Sequence, residues 1–128
     1  MTAVPRRVAL RRLGALTLAG AFGAKAGAAP SDVESRRIEQ LIAYVEAQKE
    51  ITFVRNGKAY TPAQAGRFLR GKLDATGREV RTARQFIAQI ATRSSTSGKP
   101  YAVVRADGRS VPAAEFLGNE LARIERAP

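Results

Sequence analysis

The stretch Ser94-Ser95-Thr96-Ser97-Gly98-Lys99-Pro100 brings hydroxyls, a glycine and a lysine close together. A phosphate-binding loop would need an earlier glycine and a Ser or Thr after the lysine; here Pro100 follows. A serine-lysine nucleophile pair, Ser95 or Ser97 with Lys99, is conceivable. Such a lysine must shed its proton near neutral pH, which requires burial. A Ser/Thr/Gly loop is usually wet, so the expected role is a helix stop and a turn into a strand, with hydroxyls satisfying backbone groups. If the loop binds anything, amides near Gly98 together with Lys99 suit an anion. The chain has no histidine and no cysteine. That excludes zinc sites of the Cys/His type, Ser-His-Asp triads and Cys-His dyads. No catalytic residue, metal site or cofactor is assigned, and a small Ser/Lys hydrolase stands only as a third reading.

A binding surface is the stronger theme. Arg67, Arg70, Lys72, Arg78, Arg81 and Arg84 outweigh Asp74 and Glu79 in one segment. With Lys99, the five arginines are the anion-binding candidates, suited to anionic lipid, lipopolysaccharide phosphates or another acidic polymer; the alternative is a solvated face. Nucleic acid is disfavoured, since no recognition motif or stacking series is present. Arg55, Asn56 and Arg105 sit at expected hairpin tips and are candidates for contacting an unidentified partner protein. Asn56-Gly57 is equally what a type I′ turn requires. Tyr60, Tyr101 and Phe53 suit either a stacking surface or the core face of a sheet. The acid pairs Glu34/Glu39 and Glu115/Glu120 are expected to face solvent.

These groups are positioned by elements with clear signals. Phe53–Leu69 reads as strand, turn, strand and capped helix. Thr61-Pro62-Ala63-Gln64 carries a capping box with proline at the first helical position. Val103–Leu117 echoes it: Arg55 precedes Pro62 by the same interval as Arg105 precedes Pro112. Ser31–Glu34 and Thr82–Gln85 are further capping boxes. Apolar spacing predicts helices over Asp32–Gln48, Pro62–Leu73, the segment after Thr82, and Pro112–Arg126, with a loop over Asp74–Arg81. Strands are expected at Ile51–Val54 and Lys58–Tyr60, and again around Tyr101–Val104. The order α-β-β-α-α-β-β-α predicts an α+β fold: a two-layer domain whose two hairpins join in one antiparallel sheet packed by four helices.

The first residues read differently. Arginines at 6, 7, 11 and 12 precede an uncharged apolar run, Leu13–Phe22, and then small residues to Ala29. This layout is that of a secretory signal peptide over residues 1–29, leaving one domain over 30–128 with no transmembrane span. Arg11-Arg12 and Lys25 hint at twin-arginine export, although Gly14 stands where that signal prefers a bulky apolar residue; general secretion is the default. Beyond Ala29, 17 basic residues face 11 acidic ones, a net charge of +6. Without cysteine, the exported domain rests on its apolar core alone.

Several short motifs occur together: Arg37-Ile38-Glu39; Phe53-x-Arg55-Asn56-Gly57; Thr82-Ala83-x-x-Phe86-Ile87; and Ser95-x-Ser97-Gly98-x-Pro100-Tyr101. As a set they resemble a family of small exported proteins of Gram-negative bacteria, domain-of-unknown-function family 5329, over essentially the whole chain beyond residue 29. The resemblance implies a periplasmic location and supplies no activity, substrate or site residue. The expectation is an exported periplasmic domain, a non-catalytic binding module for an anionic envelope component, with a protein-protein interaction module as the alternative.

Overall fold

A computed structural model describes residues 29–127. The expected signal segment lies outside the described residues, apart from residue 29. Helix α1 covers Asp32–Ala47 and buries Ile38, Leu41, Ile42 and Val45 along one stripe. Ser31 caps it by accepting from the Glu34 amide, 3.2 Å. The expected capping box is only half made. The Glu34 carboxylate turns away from Ser31, accepting from Arg37 at 3.0 Å and from the Ala83 amide at 2.8 Å.

Strands β1 (Thr52–Arg55) and β2 (Lys58–Tyr60) form the first hairpin. At its tip Asn56 and Gly57 adopt φ of 52° and 77°, the left-handed pair a type I′ turn demands. Strands β3 (Ala102–Val104) and β4 (Ser110–Pro112) form the second hairpin. The sheet runs β2-β1-β3-β4, every neighbour antiparallel. Phe53 pairs with both Tyr60 and Val103, and Val103 with Val111, so these residues share the face that meets the helices. The opposite face carries Val54, Ala59, Ala102, Val104 and Pro112, all without charge.

Helix α2 spans Pro62–Thr76, opened by the complete Thr61/Gln64 box. It runs past Leu73 through part of the expected loop. Asp74-Ala75-Thr76 stays helical, with the Thr76 hydroxyl donating to the Lys72 carbonyl at 2.8 Å, and Gly77 ends it. Helix α3, Ala83–Gln89, starts at the complete Thr82/Gln85 box. Helix α4, Ala113–Arg126, begins one residue later than expected. Pro112 ends β4 and is the N-cap without a side-chain bond, and the Ala113 amide is satisfied by the Tyr101 carbonyl, 2.9 Å. The α+β order is as the sequence predicts. Phe53, Leu69, Phe86, Tyr101, Phe116 and Leu117 belong to one core between sheet and helices. No helix among the described residues is long and apolar enough to cross a membrane.

Candidate functional site

Arg55 lies two residues after Phe53 on β1 and shares its side of the sheet. It sits just past the core edge, over α2. Its guanidinium carbon is 4.4 Å from the centre of the Phe68 ring, and Nη1 donates to the Tyr60 hydroxyl at 2.6 Å. One helical turn beyond Phe68, Lys72 donates Nζ–H bonds to the Tyr101 hydroxyl and the Arg93 carbonyl, both 2.9 Å. The same ammonium is 4.9 Å from the Tyr101 ring centre. Tyr101 meets Phe68 edge-on, centroids 5.6 Å apart at 87°. Between α2 and the segment Ser94–Thr96 this arrangement leaves a cleft of about 340 Å³. Aromatic rings form its floor, Gly71 and Ala75 leave one wall bare, and hydroxyls form the other.

Two cations and no carboxylate line this cleft. Neither Arg55 nor Lys72 is ion-paired among the described residues. Guanidinium has five donors, of which the bond to Tyr60 takes one; ammonium has three, of which Tyr101 and Arg93 take two. The site offers positive charge and directed N–H donors over an apolar floor.

The loop of residues 94–99 is closed on itself. Buried Ser94 is its hub. Its hydroxyl oxygen accepts from the amides of Thr96 and Ser97, each 3.2 Å, and its carbonyl accepts from the Gly98 amide, 2.9 Å. The Lys99 amide donates to the Ser97 hydroxyl oxygen, 3.2 Å. These amides are thus engaged within the loop, and what Lys99 adds to anion binding is its exposed ammonium. Ser97 meets Lys99 through that backbone amide, and its own hydroxyl donates to Asn56 Oδ1. Asn56 also donates from Nδ2 to Ser94 Oγ, 3.2 Å, so the first hairpin tip is tied to this loop.

The basic segment is scattered by the fold. Arg67 is exposed on α2. Arg70 turns to α1, where it pairs with Glu39 and forks onto Glu46 at 3.1 and 3.4 Å. Those hydrogen bonds, Glu46 first, raise its pKa above the ordinary arginine value. Arg84 pairs with Glu125 at 3.1 Å, and the Arg81 amide donates to Gln85 at 2.6 Å. Arg78 lies beside Glu79 in a separate shallow cleft. Arg105 repeats the motif of Arg55, its guanidinium 5.4 Å from the Phe116 ring centre. The hollow beside it is lined by Glu50 and Asp107 as well as Lys49, so charge there is mixed.

Two acids depart from expectation. Glu120 is buried, 7% exposed, and accepts the Arg123 fork one turn along α4; the hydrogen bonds that Arg123 donates to it raise the Arg123 pKa. Glu34 is half-buried and spans to α3. Phe53 and Tyr101 are core, each 1% exposed, yet the Tyr101 hydroxyl still reaches the cleft through Lys72. Phe68 and Gly71 were not singled out as binding residues by sequence reasoning, and Lys72 was read only as part of the basic run. The Phe68/Lys72 spacing of one turn, with Gly71 between them, was the available signal.

The relatives carry no assigned activity. A curated relative, the uncharacterized protein YfeK of Salmonella typhimurium, is 43% identical over 68 residues, 53% of this chain and 57% of the relative. The chain therefore spans little more than half of that relative's length. No solved structure matches. The model of a family of unknown function, DUF5329, matches residues 32–125, from the first turn of α1 to the last turn of α4. The chain belongs to this family of unknown function, DUF5329.

Proposed function

We propose that this is an exported, periplasmic, non-catalytic binding module that holds an anionic group of a cell-envelope component in the cleft between α2 and Ser94–Thr96. The observation that carries the reading is Arg55 and Lys72 converging on one aromatic floor with no carboxylate among the lining residues. In the Arg67–Arg84 segment, by contrast, Arg70 and Arg84 are held by acids. The export signal expected over residues 1–29 supports the location. The test is amide chemical-shift mapping of the purified protein against lipopolysaccharide fragments and anionic vesicles, at low and physiological salt. Shifts gathered at Arg55, Lys72 and Ser94–Thr96 that fade with salt are expected. Shifts confined to Arg67, Arg78, Arg81 and Arg84, with Arg55 and Lys72 unmoved, would move the site to the outer basic face, and none at all would sink the reading. Cell fractionation with mass determination of the processed N-terminus checks the export step.

A second reading, docking of a partner protein, is favoured by the uncharged outer face of the sheet around Val54, Ala102 and Val104. It predicts capture of a partner that resists salt and is lost in Val104→Glu.

A further inference from the structure

We infer that the cleft selects an anion carried on a compact flat ring, an aryl phosphate or aryl carboxylate, over the same anion on a sugar or alone. The inference rests on the anion-binding reading above and adds its specificity. The cations sit at the rim of a surface that is otherwise apolar. Phe68 and Tyr101 form the floor, and beside Lys72 and Thr76 the wall of α2 presents Gly71 and Ala75. A sugar's hydroxyls would lose water against such a floor, and the hydroxyls of Thr76, Ser94 and Thr96 on the walls are already engaged within the protein. A ring would lie against this floor beside the Arg55 guanidinium, which already covers one face of Phe68. Size agrees. At roughly 30 Å³ per small non-hydrogen group, about 340 Å³ admits about eleven such atoms, the size of phenyl phosphate.

Gly71 points the same way. It lies inside α2 with open space where a Cβ would stand, so an alanine Cβ would meet nothing there and favour the helix. A larger side chain there would fill the space in which we place the ring.

The experiment is calorimetric titration at low salt with inorganic phosphate, glucose 1-phosphate and phenyl phosphate, on the wild type and Gly71→Leu. Phenyl phosphate should bind at least about tenfold tighter than the other two. In Gly71→Leu that advantage should vanish while Tm rises by about 4 °C. Equal affinities, or a preference for the sugar phosphate, would overturn the ring specificity and leave the anion site standing. Absence of binding by all three would overturn both. An aryl advantage that survives Gly71→Leu would place the ring elsewhere and refute the inference as drawn.

Discussion

Replacing Arg70 by glutamine tests whether the basic segment serves the fold or a ligand. Arg70 joins α2 to α1 through Glu39 and Glu46. The Glu46 fork is the better protected part: Glu46 is 32% exposed and lies against Gly66, where a Cβ would come within 2.2 Å of its Cγ. A fork of this kind at a half-exposed site stabilises by about 1 kcal/mol. Glu39 is 59% exposed, and its pair adds a few tenths, about 0.3 kcal/mol. Glutamine keeps much of the aliphatic stem, so packing loss stays small. The expected cost is about 1.3 kcal/mol, a fall in Tm of roughly 5–10 °C for a domain of this size. Thermal unfolding followed by circular dichroism reads it. At about 1 M salt the screening length falls to about 3 Å, so the deficit should shrink to less than half. A double-mutant cycle with Glu46→Gln should recover most of the loss as coupling. Arg70 does not line the cleft, so ligand affinity should not move. A Tm change below about 2 °C, or one indifferent to salt, would refute the assignment of Arg70 to the α1–α2 joint.

Arg55→Gln should weaken anion binding by about 10- to 100-fold in titration, since one charge-assisted bond contributes about 1.5–3 kcal/mol. Phe53→Ala, at a side chain 1% exposed and packed 5.5 Å from the Tyr101 ring, should cost about 3–5 kcal/mol in urea unfolding. Gly57→Ala places a Cβ at φ 77° and should cost about 1 kcal/mol by the same assay. The acids beside Arg70 and Arg123 raise both pKa values, so those pairs contribute fully below the ordinary arginine range and lose their effect only above it. With no histidine in the chain, Tm should stay flat between about pH 6 and 9 in a buffer scan.

Local chemistry carried most of the fold into view. Thr61/Gln64 and Thr82/Gln85 satisfy their own helix starts, and Asn56-Gly57 fixes its own turn, so each was legible within four residues. Pairing of the two hairpins followed from strand order. The failures are long-range. Glu34 has the spacing of a capping box, but the Ala83 amide, 49 residues on, competes for its carboxylate. Helix α2 continues through Asp74–Thr76 because Gly77, and nothing earlier, ends it. The cleft was only partly visible. Charge alone drew attention to a run of arginines, whereas burial and ion pairing decide which cations can meet a ligand. Those depend on where α1 and α4 place their acids. The echo between Arg55 and Arg105 was legible as a spacing. Its physical content, each arginine lying over the phenylalanine of the helix that follows, needed the fold.

The Glu34 contact ties the chain's early residues to its middle. Helix α3 has seven residues, too few to persist without help. One of its first amides is held by a carboxylate in the opening turn of α1. Amide protons of α3 should therefore exchange with solvent at the rate at which the N-terminal turn of α1 undocks, so the two behave as a single cooperative unit. It follows that the protein can tolerate processing as far as Pro30, but a cut a few residues later would loosen a helix fifty positions away. If a signal over residues 1–29 is removed, as proposed, Ser31 and Glu34 stay in place and the tie to α3 is kept.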